Sequence, residues 1–332
     1  MRKKAFFYIF FILSFVVLFY LIKRNYGKEK SPNRCLSVGV VFSFPGIGDR
    51  SYNDSAYMGI QRAKEQFDIN VEYIEPKSFF DVELEFLEFA GGDYELIIAV
   101  GYGLKDICEK AAEKFPNKHF VILDEEINLP NVTSIMFRSQ EGAFLAGFLA
   151  GKVTKTNTLG FVGGNHSEVV EKFRRGYKEG AFYGNERVEI REKFIGGENP
   201  FGDPSKGEAE ALSLINEGAD IILHAAGESG LGVIEAAKNR DILAIGVDMD
   251  QEDEAPGTIL VSVVKSLDGV IFDIIYDQLK GEGGRGKNRS LGLKEGGIKL
   301  SDPKESIEIP NEIYVELEEI KKKIVEGRLR IE

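Results

Sequence analysis

The chain has 332 residues, and its 54 acidic against 42 basic side chains give a formal net charge of −12. This length exceeds the usual size of one domain and predicts two. The acidic balance argues against nucleic acid as a partner, because a phosphate-binding surface needs clustered lysine and arginine. The two cysteines and three histidines lie far apart without ligand spacing, which predicts no metal site and no disulfide framework.

An apolar run near the N-terminus, Ala5 to Ile22, is flanked by basic residues on both sides. It is long enough to span a bilayer, whereas the apolar core of a signal peptide has about 7–15 residues. We therefore expect residues 1–35 to be a membrane anchor followed by a polar tether. Two alternatives stay open: a cleaved signal peptide, and lipidation at Cys35, which the preceding Pro32-Asn33-Arg34 disfavours. The basic flanks leave the orientation open.

From Leu36 onward, short apolar runs alternate with amphipathic segments, which is the pattern of βαβ units and a parallel sheet. In the first half the predicted strands are Leu36–Phe44, Val71–Ile74, Leu96–Val100, Phe120–Leu123 and Val132–Phe137, and the predicted helices are Asp54–Phe67, Phe79–Phe89 and Leu104–Phe115. This half predicts one α/β lobe.

The second half repeats the same order of elements. The predicted strands are Leu159–Val162, Val188–Phe194, Ile221–His224 and Leu243–Val247, and the predicted helices are Glu141–Lys152, Glu168–Tyr183, Lys206–Asn216 and Leu231–Arg240. In the first of these helices Ala143, Ala146, Gly147 and Ala150 are small enough for close packing. A strand at Thr258–Val264, a helix at Ser266–Leu279, short extended pieces within Leu291–Leu300 and a helix at Asn311–Glu326 follow.

The fold class is therefore α/β, with two doubly wound lobes and parallel sheets. We assign residues 36–135 plus 258–290 to the N-terminal lobe and residues 136–257 plus 291–332 to the C-terminal lobe. No linker-like segment separates them, so short crossovers join the lobes, as in hinged binding proteins.

The loop after the first strand, Pro45-Gly46-Ile47-Gly48, leads into a helix, and ligands of such folds bind beyond the carboxyl ends of the strands. Asp49, Tyr52 and Asn53 fall at this edge. A second glycine loop begins at Gly227, after another strand. None of the glycine loops matches the dinucleotide or P-loop fingerprint, so we expect no cofactor.

Three charged side chains end predicted strands: Asp124, Asp248 and Lys265. A partly desolvated carboxylate needs donors, which the vicinal hydroxyls of a ribose or sugar supply. The alternatives are a helix cap for Asp248, and for Lys265 either a solvated side chain or a pair with Asp248.

Two aromatic side chains lie among turn-forming residues, Tyr52 in one half and Phe201 in the other. One ring from each lobe could clamp a flat ligand, although each ring alone also fits ordinary packing. Catalytic motifs such as G-x-S-x-G and H-E-x-x-H are absent from the sequence, which argues against an enzyme.

Several blocks occur in the order found in one family. They are Gly48-Asp49-Arg50-Ser51-Tyr52-Asn53-Asp54-Ser55-Ala56, Val132 through Gly142, Leu159 through Gly164, Phe201 through Gly207 and Gly246 through Gln251. With these blocks the chain, from about Leu36 to its end, resembles the basic membrane protein family of ABC-transporter substrate-binding proteins, which includes purine-nucleoside receptor lipoproteins.

The resemblance implies a type I periplasmic-binding-protein fold whose two lobes close on a nucleoside, with a purine as the expected base. It implies that Tyr52 and Phe201 stack on the ligand, that Asp124 contacts the base, and that Asp248 and Lys265 contact the ribose. It further implies that Asn53 and Gly227 line the pocket, next to Asp49 of the signature block. Two positions depart from the family: Ser43 stands where nucleoside-binding relatives often carry Asp, and Cys35 lacks a good lipidation box.

We therefore expect a monomeric receptor without cofactor or metal. It would be held at the cell membrane through residues 5–22, face the extracytoplasmic side and deliver a nucleoside to ABC permease subunits. A ligand-gated sensor or regulatory protein of the same fold is the alternative, and an enzyme acting on nucleosides is the third reading.

Overall fold

Two lobes, each built on a six-stranded sheet, form the chain from Leu36 to Glu332. The computed structural model describes residues 35–75, 82–302, 307 and 309–332. The predicted anchor at 5–22, the tether up to residue 34 and the predicted helical residues 79–81 lie outside this part. None of the described helices is both long and apolar enough to cross a bilayer.

The first lobe begins with alternating strands and helices. They are β1 (Leu36–Phe42), α1 (Tyr52–Gln66), β2 (Ile69–Ile74), α2 (Val82–Ala90), β3 (Leu96–Val100), α3 (Lys105–Lys114), β4 (His119–Leu123) and β5 (Val132–Phe137). Every residue of β3 and β4 is buried, as expected for apolar strands that helices cover on both faces of a parallel sheet.

The second lobe repeats this order. Its elements are α4 (Ser139–Val153), β6 (Thr158–Gly163), α5 (Glu168–Gly184), β7 (Glu189–Phe194), α6 (Pro204–Asn216), β8 (Ile221–Ala225), α7 (Ser229–Asn239), β9 (Leu243–Asp248) and β10 (Ile259–Lys265). The chain then adds α8 (Leu267–Lys280), β11 (Arg289–Leu291), β12 (Ile298–Leu300) and α9 (Asn311–Val325).

Both sheets have the same strand order. The first is β11-β5-β4-β3-β1-β2 and the second is β12-β10-β9-β8-β6-β7. All pairs in the first sheet are parallel, and β12 alone among the described strands runs antiparallel to its neighbour. The predicted α/β class with two parallel-dominated sheets is therefore confirmed.

The chain crosses between the sheets after β5, after β10 and between β11 and β12. Backbone hydrogen bonds join these crossovers, from Arg138 N–H to the Leu291 carbonyl at 2.8 Å and from Ser266 N–H to the Gly297 carbonyl at 2.9 Å. The three crossovers thus lie side by side and form a short hinge.

One part of the predicted lobe assignment is wrong. Residues 258–290 were assigned to the N-terminal lobe, but β10 pairs in parallel with β9 in the second sheet, from Ile259 beside Ala244 to Val264 beside Asp248. Strand β5 also continues in the first sheet to Phe137, past the expected boundary at 135. The connection from β9 to β10, residues 249–258, contains no α-helix, whereas parallel neighbours usually need a crossover of about a dozen or more residues, so the sequence pattern does not indicate this pairing.

Helices α4 and α5 touch backbone to backbone, as the small residues of α4 predict. A Cβ atom on Gly147 of α4 would overlap the Tyr177 carbonyl, and one on Gly180 of α5 would overlap the Phe144 carbonyl oxygen. Both contacts therefore require glycine, and they bring the two helices close enough to cover the same face of the second sheet.

We expect the Gly180→Ala variant to lose about 3 kcal/mol of unfolding free energy, because the added methyl group must push two helix backbones apart. Urea unfolding checks this value. Gly269→Ala in α8 is the matched control, since a Cβ there meets nothing within 4 Å, and it should gain about 0.5 kcal/mol from helix propensity. Equal effects of the two substitutions would contradict the close packing.

Candidate functional site

The loop between β1 and α1 is shaped by the carboxylate of Asp49. One oxygen accepts hydrogen bonds from the backbone N–H groups of Ser51 and Asp54, at 2.9 and 3.1 Å, and the other accepts from the N–H of Asn53 at 2.9 Å. Burial raises the pKa of Asp49 to about 7, against the opposing effect of these donors. The side chain of Asp49 therefore holds the loop and orients the first turn of α1, where Tyr52 lies.

Ser43 and Asn53 bond to each other at the end of β1. The Ser43 hydroxyl donates to Oδ1 of Asn53, and Nδ2 of Asn53 donates to the Ser43 carbonyl, both at 3.2 Å. Gly101, with a φ of +120°, leaves room for Ser43, since a Cβ there would lie 2.7 Å from the hydroxyl oxygen. The pair is uncharged and its amide orientation is fixed.

Two aspartates end equivalent strands of the two sheets. Asp124 follows β4 and Asp248 ends β9, and both have left-handed backbone, with φ of 64° and 65°. A non-glycine residue in this conformation is strained, although aspartate tolerates it better than most residues. The sharp turn directs both carboxylates into the cleft, where they are only 4% and 7% exposed.

Lys265, the last residue of β10, joins the two lobes through these carboxylates. Its Nζ donates to Oδ2 of Asp124 in the first lobe at 2.7 Å and lies 4.0 Å from Oδ1 of Asp248 in the second. The lysine side chain is 0% exposed. Of the readings left open by the sequence, a solvated lysine is wrong, and Asp124 is a nearer partner than the expected Asp248.

Aromatic rings surround the Lys265 ammonium group. The centroids of Tyr52, Phe137 and Phe173 lie 4.9, 5.3 and 5.6 Å from Nζ. Ring faces attract a cation and replace part of its lost hydration. They also exclude water, so the ion pair with Asp124 acts at low effective dielectric constant.

The second oxygen of Asp248 makes another contact between the lobes. The hydroxyl of Ser51 donates to Oδ2 of Asp248 at 2.7 Å. Burial raises the pKa of Asp248, and the charge of Lys265 and this hydrogen bond oppose that effect. The other oxygen, Oδ1, lies 4.0 Å from the Lys265 ammonium group.

A cavity of about 180 Å³ lies between the lobes. The structure brings all eight residues predicted from the sequence to its wall: Asp49, Tyr52, Asn53, Asp124, Phe201, Gly227, Asp248 and Lys265. Because the Asp49 carboxylate accepts hydrogen bonds from three backbone N–H groups, it stabilises the loop and is not a free acceptor for a ligand. The roles of the others toward a ligand stay predictions.

The two predicted clamp rings come from different lobes. Phe201 stands against Gly164, where a Cβ would overlap the ring, and against Gly227, where a Cβ would lie 3.3 Å from Cβ of Phe201. The Tyr52 hydroxyl is buried close to the carboxylate of Asp124. Burial, and next the charge of Asp124, raise the pKa of Tyr52, so the phenol stays neutral.

Sequence reasoning missed most of the apolar wall and one polar contact. The missed apolar lining includes Val82, Leu104, Ile107, Val169 and Phe173. These residues have helical spacing that indicates core, and nothing in the pattern distinguishes a cavity wall from a core. The missed polar contact is that of Ser51, which stands within the block Gly48–Ala56 and whose hydroxyl donates to Asp248.

A buried histidine lies behind the Asp248 loop. His224 is 0% exposed, and its Nε2 contacts Oε1 of Gln251 at 2.9 Å. Since that oxygen also accepts from the Val247 N–H at 3.0 Å, Nε2 must be the protonated nitrogen. Nδ1 has no partner within the described part of the chain and lies against Gly230. Burial lowers the pKa of His224 to about 4, against the opposing effect of the hydrogen bond to Gln251.

Metal binding has no support in the described ranges, where no group of three or more His, Cys, Asp or Glu side chains is placed to hold an ion. The polar groups of the cavity can instead accept and donate hydrogen bonds to a neutral ligand with hydroxyl groups, while the rings and aliphatic side chains can pack on an apolar or aromatic part.

A family described as ABC transporter substrate-binding protein, PnrA-like, matches residues 36–332. Basic membrane protein D of Borreliella burgdorferi is 34% identical to the chain and covers 100% of it and 95% of its own length. The ABC transporter nucleoside-binding protein BmpA of Lactococcus lactis is 30% identical and covers 92% and 90%.

Solved structures agree in fold. An ABC transporter solute-binding protein from Aeropyrum pernix K1 superposes with a TM-score of 0.81 at 29% identity, covering 89% of this chain and 92% of its own. A transcriptional activator of the comK gene from Bacillus halodurans superposes at 0.75, but its 22% identity shows the fold alone. The suspected family resemblance is thus confirmed.

Replacing Lys265 by Met should cost about 3–5 kcal/mol of unfolding free energy, because Asp124 then stays buried without its counter-ion. Adding Asp124→Asn should recover most of the loss. Urea unfolding at pH 7 measures both. Lys152→Met, which breaks a surface pair with Glu316, is the control and should cost about 1 kcal/mol or less. A double variant as unstable as Lys265→Met would contradict the pairing.

Stability should fall by about 3 kcal/mol through His224 as pH decreases from 6.5 to 4. In that window the unfolded state binds a proton at this histidine and the folded state does not, so unfolding is favoured. His224→Gln should remove this part of the pH dependence in urea unfolding, whereas His166→Gln at an exposed site should retain it. Identical slopes for both variants would contradict the buried neutral histidine.

Proposed function

The chain belongs to the PnrA-like family of ABC-transporter substrate-binding proteins, and on that premise we propose that it captures a nucleoside between its lobes for an ABC permease. The family consists of binding proteins rather than enzymes, as the missing catalytic motifs indicate. The single observation that carries the choice of ligand is the cavity itself, which combines two buried carboxylates and a lysine with a wall of aromatic and aliphatic side chains.

The polar part of the proposed site suits a ribose. Asp248 and Lys265 both line the cavity, where the carboxylate can accept from a hydroxyl group and the ammonium group can donate to one. The Asp248 carboxylate is only 7% exposed, so a hydrogen-bond donor on the ligand stabilises it more than it would stabilise a carboxylate in water. Vicinal hydroxyls supply both a donor and an acceptor within reach of one another.

The apolar part suits a base. Phe201 from the second lobe and Tyr52 from the first line the cavity, together with Phe173. Stacking of a base on such rings contributes about 1–3 kcal/mol. We include purines on the family resemblance, with the uncharged Ser43 and Asn53 pair at the wall where relatives often carry a carboxylate.

Closure of the lobes supplies the mechanism. The proposed contacts come from both lobes, so a ligand that bridges them favours the closed arrangement over the open one. The permease would then recognise the closed form. We place the protein at the cell membrane on its extracytoplasmic side, anchored through residues 5–22 and acting as a monomer, and protease accessibility of α9 on intact cells tests that orientation.

A thermal-shift screen of the full chain with nucleosides, bases, sugars and amino acids tests the ligand class. A nucleoside at 100 times its Kd should stabilise the folded state by about 2.7 kcal/mol and raise Tm. A screen in which another class raises Tm and no nucleoside does would overturn the proposal.

Asp248→Asn should weaken nucleoside affinity about 10- to 100-fold, the usual worth of a hydrogen bond to a charged group. Asparagine tolerates the left-handed backbone and can still accept from Ser51, so the fold should persist. Titration calorimetry measures the affinity, with Asp106→Asn as a control, an acidic residue in the first turn of α3 outside the cavity wall. Wild-type affinity in Asp248→Asn would exclude this residue from the site.

A further inference from the structure

Two loops touch across the cleft outside the cavity wall. The first lobe contributes the loop between β1 and α1, with Arg50 at its tip. The second contributes the segment after β9, which includes Gln251 and a 3₁₀ turn at Glu252–Glu254. None of Arg50, Gln251 and Glu254 lines the cavity. We define these three residues as the rim contact.

An ion pair forms the outer part of the rim contact. Nε and Nη2 of Arg50 both lie 2.8 Å from Oε1 of Glu254. The Glu254 side chain is 24% exposed and that of Arg50 is 58% exposed. Two donors on one oxygen define the orientation of the Arg50 guanidinium group. Because both side chains are partly exposed, salt will screen part of the attraction between them.

A partly buried hydrogen bond forms the inner part of the rim contact. Nε2 of Gln251 donates to the backbone carbonyl of Arg50 at 3.1 Å. The Gln251 side chain has no freedom to turn away, because its Oε1 accepts from Val247 and contacts His224, and its backbone N–H donates to the hydroxyl of Ser262 at 3.1 Å. The second lobe therefore presents a fixed donor to the first.

The partner loop is equally fixed. Arg50 has left-handed backbone, with a φ of 52°, which is strained for a residue with a side chain. The carboxylate of Asp54 holds this conformation by accepting from the N–H of Gly48 at 2.6 Å and from that of Arg50 at 3.0 Å. Both sides of the rim contact are thus shaped before they meet, so little conformational entropy is lost on contact.

We propose that the rim contact is a latch that stabilises lobe closure without touching the ligand. The three side chains are positioning residues: they act on the site only through the population of the closed form. Residues that bridge the lobes outside the cavity contribute to closure whether or not the cavity is filled.

The latch changes the apparent affinity for a ligand through the fraction of molecules that are closed. When only a fraction of molecules is closed, the apparent Kd equals the intrinsic Kd divided by that fraction. Removing the ion pair should lower the ratio of closed to open molecules about two- to fivefold, the range that exposed ion pairs give. The part of this proposal that concerns nucleoside affinity rests on the proposed function, and the part that concerns lobe distance does not.

Spin-label distances in the ligand-free full chain measure the latch directly. Cys35→Ser removes the exposed native thiol, and exposed positions in α3 and α7 carry one label each, through Glu113→Cys and Glu235→Cys. Glu254→Gln should shift the distance distribution toward the open form by the stated ratio. Raising the salt concentration should produce the same shift in the wild type and almost none in Glu254→Gln.

A matched control and a double variant separate the latch from general effects of charge. Asp268→Asn removes an ion pair with Arg62 that lies within the first lobe, between α1 and α8, and should leave the distances unchanged. Arg50→Gln should match Glu254→Gln, and the double variant should add nothing. Unchanged distances in Glu254→Gln, an equal shift in Asp268→Asn, or additive effects of the two rim substitutions would each overturn the proposal.

Affinity provides a second readout. If nucleosides bind, Glu254→Gln should weaken the apparent Kd by at most the factor by which the closed fraction falls, and saturating nucleoside should restore the closed distance. If no nucleoside binds, the proposed ligand is wrong while the ligand-free distances still decide whether the latch exists. An affinity loss without any change in those distances would count against the latch.

Discussion

The buried ammonium group of Lys265 is the constraint on which the arrangement of the two lobes depends. Its side chain is 0% exposed, and its nearest counter-ion, Asp124, belongs to the other lobe. A buried charge without its partner costs several kcal/mol, so the position of one lobe relative to the other cannot change without resolvating this pair. Because the desolvation cost of such pairs offsets most of their attraction, the pair fixes geometry more than it adds stability. A change in the relative position of the lobes therefore also changes the charge interactions in the cavity.

The two sheets share their strand order, and the differences between equivalent positions create the site. Asp124 and Asp248 end the corresponding strands β4 and β9 with the same left-handed backbone. The strands beside them end differently, β5 in Phe137 and β10 in Lys265. One lobe supplies the cation and the other an aromatic face 5.3 Å from it. A duplicated architecture thus yields an asymmetric cavity, in which Lys265 is shared between two carboxylates.

The contacts between the lobes differ in what they can respond to. Lys265, Asp124 and Asp248 line the cavity, so a ligand acts on them directly, whereas Arg50 and Glu254 stand outside it. Both groups reach the same loops: Ser51, next to Arg50, donates to Asp248, and Gln251 holds the segment that follows Asp248. The rim contact and the cavity contacts therefore favour the same arrangement of the lobes. Stronger contacts at either place increase the population of the closed form.

The amino-acid pattern was sufficient for the alternation of strands and helices, the close packing at Gly147 and the position of the predicted residues at the carboxyl ends of strands. These are local properties, because turn chemistry and apolar periodicity act over a few residues. Only the tertiary structure placed β10 in the second sheet, buried Lys265 against Asp124, and put Phe173 on the cavity wall. The sheet that a strand joins and the partner of a buried charge depend on the packing of the whole chain, and an apolar helix face has the same pattern whether it borders a core or a cavity.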